Sequence, residues 1–108
     1  MDVLKEDLLK ARARIEAGWC QGAFARDADQ HPVDVHAPEA VSFCVVGAVD
    51  STVALNVAVL IALWKTLNAE KYAGSLAQYN DAPGRTKDEI LALFDNTIAR
   101  LEKEEKGT

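Results

Sequence analysis

Apolar residues are most concentrated at residues 53–64, where every side chain except that of Asn56 is apolar. At about 100° per residue, one face of a helix through this segment carries five large apolar side chains: Val53, Val57, Leu60, Trp64 and Leu67. Leu55, Val59 and Leu63 widen that face on one side, and Ile61 widens it on the other. A helix with so wide an apolar surface needs other segments around it. The pattern predicts a central helix over about residues 53–72, ending at Gly74.

Two other segments have helical periodicity with defined ends. Residues 3–17 place four apolar side chains on one stripe: Leu4, Leu8, Ala11 and Ile15. Gly18 follows as a C-terminal cap. Towards the other end of the chain, Thr86 and Glu89 form a capping box. The helix that begins there has its own buried stripe: Ile90, Phe94, Thr97, Ile98 and Leu101.

The intervening residues predict a second helix and a short β-hairpin. Pro38 suits the first turn of a helix, because its missing N–H costs nothing there. Gly47 would let a neighbouring helix approach this second helix closely. Asp50 and Ser51 are candidate N-caps for the central helix, so we expect a break between the two helices. Residues 23–35 have no helical periodicity but contain two short strand-like runs, which favours a hairpin.

Together these elements predict an all-α fold, a small four-helix bundle in a single domain of residues 1–108. Residues 75–79 are long enough for one helical turn at most, and residues 80–84 form a turn by composition. Residues 102–108 form a charged, fraying tail. The 108 residues suffice for one hydrophobic core, and 49% hydrophobic with 27% charged residues is typical of a globular domain.

Charge and cysteine content narrow the function classes. The formal net charge is −5 and the basic residues are scattered, which argues against nucleic-acid binding. The apolar run of about twelve residues is shorter than the roughly twenty needed to cross a bilayer. The N-terminal residues do not resemble a secretory signal, so we expect a cytoplasmic protein with no membrane partner. In that compartment Cys20 and Cys44 are expected to be reduced thiols, with Cys20 the more exposed.

Four short motifs occur in order along nearly the whole chain: GWCQG at 18–22, ARDAD at 25–29, FCVVGA at 43–48 and YNDAPGRT at 79–86. The set resembles a family of small bacterial and phage proteins catalogued only as a domain of unknown function. Gln30 stands where that family tends to have a turn glycine, and Tyr79 where a tryptophan is usual. The resemblance implies a compact domain and no established activity.

The last motif carries the strongest candidates for a ligand site: Tyr79, Asn80, Asp81 and Arg85. An Asn-Asp turn followed by an arginine at a helix N-terminus can orient an anionic or amide ligand. The alternative is structural, with Asn80 and Asp81 bonded to the turn backbone and Arg85 paired with Asp81. Acidic residues in the next helical turn disfavour an anion. The first functional hypothesis is a non-enzymatic interaction or small-ligand-binding domain with its site here.

The alternative hypothesis is a small enzyme that uses Cys44 or Asp81 in a pocket near Trp19. Cys44 would act as a nucleophile, with His31 or His36 from the preceding loop as the base. Its predicted helical face is apolar, however, and such surroundings do not activate a thiolate.

Five potential metal ligands lie close together in sequence: Asp27, Asp29, His31, Asp34 and His36. They do not fit a calcium loop, because Pro32 and Pro38 occupy the positions that need a glycine and a bidentate glutamate. A zinc site would require four ligands converging from one short loop. The sequence therefore predicts neither a metal nor a cofactor, and a solvated acidic turn instead.

A strip of small residues on the central helix suits close contact with another helix: Ala54, Ala58 and Ala62. Only about three short helices are available to cover this helix, so some apolar surface should remain. Symmetric dimers are the commonest oligomers, and the pattern predicts a homodimer. Another protein partner or a small ligand stays open as well.

Overall fold

The described chain folds into five helices and one two-stranded antiparallel sheet. The structure, a computed structural model, describes residues 3–53 and 56–106. In chain order the elements are α1 (Val3–Ala17), β1 (Ala25–Arg26), β2 (Ser42–Phe43), α2 (Val45–Val53), α3 (Val57–Ala69), α4 (Leu76–Asp81) and α5 (Lys87–Lys106). The fold is mostly helical, as predicted, but it has one helix more than expected and a small sheet.

The first and last helices bury the stripes that the sequence predicts. Leu8, Ala11 and Ile15 of α1 are fully buried, and α1 packs against both α2 and α5. The stripe of α5 is buried through Thr97, whose hydroxyl lies 2.8 Å from that of Thr66 on α3. α5 continues as helix to Lys106, through residues that were expected to form a charged tail, while residues 107–108 lie outside the described part. No helix in the described ranges is long and apolar enough to cross a membrane.

α3 is shorter than the predicted central helix. Its N-cap is Asn56, whose Oδ1 accepts the N–H of Ala58 at 2.9 Å. α2 and α3 are separate helices, as predicted, but Asp50 and Ser51, the expected caps, lie inside α2, so the predicted position of the break is wrong. α3 ends at Ala69 and does not reach Gly74. Its termination is local, because Lys71, two residues further on, takes the left-handed conformation with φ of 66°.

Other segments enclose this helix on one side only, so part of its apolar surface remains uncovered, as expected from the small number of helices available. Its buried residues are Val59, Leu63, Thr66 and Leu67, while Val57, Ile61 and Trp64 are exposed. Apolar residues cover most of its circumference, so periodicity alone did not identify the inward face. Ala54, Leu55 and the side chain of Val53, which were assigned to faces of this helix, lie outside the described residues.

The second helix begins at Val45, so the predicted start at Pro38 is wrong. The preceding residues are extended because they pair with other segments. The Val41 N–H donates to Arg26 O, and the Phe43 N–H donates to Gly18 O. In the sheet Ala25 pairs with Phe43 and Arg26 with Ser42.

The predicted hairpin near residues 23–35 is reduced to a single antiparallel bridge between Arg26 and Pro32, because β1 takes β2 as its strand partner. Asp27 closes the connecting loop, since its Oδ1 accepts the N–H groups of Asp29 and His31. Gln30 in this loop has a φ of 70°. It therefore has the left-handed backbone that a turn glycine would supply at the same place.

Gly47 does allow a close approach, but to a loop instead of a helix. A Cβ added at Gly47 would lie 2.0 Å from Phe24 O. One at Gly18 would lie 2.2 Å from Val41 O. Because both residues are glycines, the backbone of Phe24 lies directly against α2 and the backbone of Val41 lies directly against the end of α1. These close contacts position the loops of the site described below.

Gln30→Gly is expected to raise the free energy of unfolding by about 0.5–1 kcal/mol, because a left-handed backbone costs a non-glycine residue roughly 1–2 kcal/mol and the larger entropy loss of glycine offsets part of this gain. Urea unfolding measures the difference. Gln30→Ala is the matched control, since it removes the same side chain but keeps the Cβ. Equal stabilities of the two variants would show that the backbone conformation at this residue carries no cost.

Candidate functional site

The side chain of Asn80 is fully buried and bonds to two other parts of the chain as well as to the neighbouring Asp81. Its Oδ1 accepts the indole N–H of Trp19 at 2.8 Å and the backbone N–H of Val45 at 3.1 Å. Its Nδ2 donates to Cys20 O at 3.1 Å and to Asp81 Oδ1 at 2.9 Å. These bonds use both acceptor positions and both donors of the amide. Asn80 therefore connects α4 to the residues after α1 and to the first turn of α2.

α4 positions Asn80 because it is a well-capped short helix. Ser75 Oγ accepts the N–H of Gln78 at 3.1 Å, and Gln78 Oε1 accepts the N–H of Ser75 at 2.8 Å. This reciprocal pair is a capping box. The helix extends through Asp81, so Asn80 and Asp81 are its last two residues. The prediction that they belong to a turn is wrong.

Asp81 orients the loop that follows Trp19. Its Oδ1 accepts the N–H of Gly22 at 3.0 Å as well as the Asn80 amide. Gln21 lies beside it and donates from Nε2 to the carbonyls of Asn80 and Ala82. Gly22 has a φ of 79°, a conformation that glycine adopts without strain. The Asp81 side chain is exposed, and no described residue donates a hydrogen bond to its Oδ2.

Arg85 packs on Tyr79 and does not form the expected pair with Asp81. Its Nε donates to Tyr79 O at 2.8 Å, and its guanidinium carbon lies 3.6 Å from the centroid of the Tyr79 ring. Its Nη1 is 3.4 Å from Glu89 Oε2. The ring of Tyr72 meets that of Tyr79 edge to face, with centroids 5.1 Å apart. Burial raises the pKa of Tyr79, so the phenol stays neutral near pH 7. These contacts join α4 to the start of α5.

A cavity of about 590 Å³ lies beside this cluster. Its walls come from the loops around β1, from the start of α2 and from α4: Gly22, Ala23, Phe24, Pro32, Val33, Asp34, Cys44, Ala77 and Asp81. The volume lies within the range of about 300–1,000 Å³ typical of small-molecule sites. Six residues were predicted from the sequence as site candidates. Cys44 and Asp81 border the cavity. The other four do not: Trp19, Tyr79, Asn80 and Arg85.

The sequence did not point to most of these walls. Among the wall residues that were not predicted, Phe24 could have been noticed, because it is a large aromatic residue in a segment without helical periodicity. In the structure its side chain is 60% exposed. Pro32 and Val33 reach the cavity through the bridge and hydrogen bond to β1, which depend on pairing that sequence patterns do not specify. Ala77 gave no signal at all.

Residues 2–100 match the model of DUF6197, described as a family of unknown function. The chain belongs to this family. No match to it was found among curated proteins or among solved structures. The resemblance inferred from the four motifs is confirmed at the family level, whereas a bacterial or phage origin stays a prediction. Membership of DUF6197 assigns no activity, so the function has to be argued from the site.

Neither thiol of this DUF6197 domain is arranged as a nucleophile. Cys44 precedes the first residue of α2, and its Sγ accepts the N–H of Gly47 at 3.3 Å, as a serine oxygen does at a helix N-cap. Burial raises the pKa of Cys44. Cys20, which was expected to be exposed, is buried, and burial raises its pKa too. Its N–H donates to Phe43 O and its carbonyl accepts from Asn80, so the backbone holds it inside.

The acidic loop brings together three of the five potential metal ligands. Single ligand atoms of Asp27, Asp29 and His31 lie within 4.8 Å of one another. One Asp27 oxygen is already bonded to the backbone, and the N–H of His31 lowers the pKa of Asp27. Asp34 and His36 are not part of this group; instead, Asp34 Oδ1 accepts the backbone N–H of His36 at 2.8 Å. The geometry is that of a hydrogen-bonded loop with an acidic surface.

Asn80→Ala is expected to lower the free energy of unfolding by roughly 2–4 kcal/mol, because it leaves the Trp19 indole N–H and the Cys20 carbonyl without their partner. Urea unfolding measures the loss. Asn96→Ala is the matched control: Asn96 is exposed and makes one 3.3 Å bond to Glu70, so its removal should change stability by less than about 0.5 kcal/mol. A loss at Asn80 no larger than that of the control would contradict the structural role of its four bonds.

Both thiols should react slowly with a disulfide reagent such as dithiobis(nitrobenzoate) while the protein is folded. Burial blocks access and raises both pKa values, so the thiolate fraction at pH 8 falls. We expect rates on the order of 100-fold below those in concentrated guanidinium chloride, where both thiols are open. Absorbance of the released thiolate follows the reaction. A native thiol that reacts as fast as an unfolded one would show an activated cysteine.

Proposed function

We propose that this domain binds a small ligand that has an apolar body and a cationic or hydrogen-bond-donating group, and that it does so without catalysis. The observation that carries the proposal is the composition of the 590 Å³ cavity. Most of its lining is apolar, and its two charged residues, Asp34 and Asp81, are both acidic. None of the described lining residues is basic. A cation is the charge that such a cavity favours.

The two carboxylates are held in place by the backbone. Asp81 accepts the Gly22 N–H through Oδ1, and Asp34 accepts the His36 N–H through Oδ1. Because the hydrogen bond to Oδ1 orients the whole carboxylate, it also fixes the position of Oδ2 in each residue. Fixed acceptors lose little conformational freedom when a ligand binds. An ammonium group has three donors and can donate a hydrogen bond to either carboxylate.

The apolar walls set how affinity should depend on the ligand. Phe24, Val33 and Ala77 offer carbon surface to a ligand body. Burying one methylene group contributes about 0.8 kcal/mol, which corresponds to roughly fourfold in affinity per added methylene until the cavity is full.

The catalytic alternative has weaker support. Cys44 borders the cavity, but its Sγ is bonded to the Gly47 N–H and burial raises its pKa. The two suggested bases do not line the cavity, and each lies near a carboxylate: His31 is 3.7 Å from Asp27 and His36 is 3.9 Å from Asp50. A nucleophile needs a base within hydrogen-bond reach, and none of the described lining residues is a histidine or lysine.

Binding of n-alkylammonium ions from butyl to octyl tests the proposal, with the alcohols and carboxylates of equal chain length as controls. We expect hexylammonium to bind saturably in calorimetry and to raise the thermal midpoint, because a ligand that binds only the native state stabilises it by mass action. Hexanol should bind more weakly, and hexanoate should not bind, since the Asp34 and Asp81 carboxylates repel it.

Two variants locate the site. Ala23→Phe should weaken binding by narrowing the cavity, whereas Ala99→Phe, the same change at an exposed α5 residue that does not border the cavity, should leave binding intact. Asp81→Asn keeps an acceptor for Gly22 but should remove the preference for the ammonium ion over the alcohol. Absence of saturable binding across the whole series, or equal binding to Ala23→Phe and wild type, would overturn the proposal.

A further inference from the structure

We infer that the outer surface of α3 is a self-association surface that pairs, antiparallel, with the same surface of a second copy of this chain. This surface, called the α3 face below, consists of Val57, Ile61 and Trp64, which are 61%, 46% and 45% exposed. The three residues lie at i, i+4 and i+7, so they form one continuous stripe along the helix. The inference is independent of the ligand proposed above.

Depressions on both sides extend the α3 face. On one side lies a hollow of about 350 Å³ with an almost entirely apolar wall that includes Val46, Leu60 and Leu76. On the other side a groove of about 300 Å³ contains the small residues Ala58 and Ala62. Large exposed side chains next to apolar depressions make a patch that soluble monomers seldom leave uncovered.

Charge placement on this surface points to a second copy as the occupant. Lys65 is the only charged residue of α3, and it borders the groove together with Leu4 of α1. One helical turn after Leu4, Asp7 accepts a 3.0 Å hydrogen bond from Nδ2 of Asn56, at the opposite end of α3. The surface thus has a positive charge near one end and a negative charge near the other.

A two-fold axis at Ile61 brings the apolar stripes of the two copies together and places opposite charges next to each other. Two antiparallel α3 helices related by that axis place Ile61 against Ile61, and Trp64 of each copy beside Val57 of the other. On the groove side, Lys65 of one copy then lies over the small Ala58 of the other, close to its Asp7. The symmetry forms the opposite-charge pair twice, whereas a parallel arrangement would bring two lysines to one end and two aspartates to the other.

The remaining charged residues that border the groove do not alter this choice. Arg100 and Glu104 are both on α5, one helical turn apart and of opposite sign. Together they add no net charge to the groove. The antiparallel arrangement therefore depends on Lys65 and Asp7.

Sedimentation equilibrium of the full chain over a range of concentrations tests the inference. Wild type should show a monomer–dimer equilibrium, and Ile61→Asp should weaken the dimer at least about tenfold by placing two carboxylates at the axis. Leu9→Asp is the matched control, because Leu9 is 53% exposed on α1 and outside the α3 face, and it should leave the dimer unchanged. A wild type that stays monomeric at its highest soluble concentration would overturn the inference, as would equal effects of the two variants.

A charge exchange tests the antiparallel arrangement separately. Lys65→Glu and Asp7→Lys should each weaken the dimer, because each creates two like-charge pairs, and the double variant should restore it to within about threefold of wild type. Circular dichroism melting checks that Asp7→Lys stays folded after losing its bond to Asn56. Failure of the double variant to associate more tightly than both single variants would contradict the pairing of Lys65 with Asp7.

Discussion

The fold around the cavity depends on one buried amide. Asn80 lies at the end of a helix of six residues, and its side chain meets Trp19, Cys20 and Val45, which come from two other regions of the chain. A buried amide is costly without partners, and here all of its donors and acceptors are used. The same bonds that make burial of Asn80 tolerable thus fix the position of α4 relative to the residues after α1 and before α2.

Backbone hydrogen bonds and close main-chain contacts position the walls of the cavity. The residues around β1 are bonded to those around β2, and β2 is bonded in turn to Gly18 through the Phe43 N–H. Glycines at 18 and 47 allow main-chain atoms to approach where a Cβ would collide. Asp81 completes this frame by accepting the Gly22 N–H. Phe24, which borders the space between these segments, is therefore left 60% exposed.

Local signals in the sequence predicted what local interactions determine. α1 and α5 have one-sided apolar stripes and defined ends, including the capping box of Thr86 and Glu89, and the structure has both. α3 was misjudged because its apolar residues surround the helix, so that the buried and exposed faces have similar composition. The start of α2 was misplaced because Val45 finds its hydrogen-bond acceptor on Asn80 and the residues before it find theirs on Gly18 and Arg26. Likewise, the motif around Asn80 was recognised from sequence, but the cavity beside it required long-range pairing.

The bond between the Val45 N–H and Asn80 spans 35 residues, and this separation has a consequence for the order of folding. The first turn of α2 cannot complete its hydrogen bonds until α4 has formed and docked, so the two helices acquire their final contacts in one cooperative step. Transient detachment of α4 would expose Asn80, uncap α2 and open the cavity together. The stability of a six-residue helix thus influences how often the cavity opens in an otherwise intact protein.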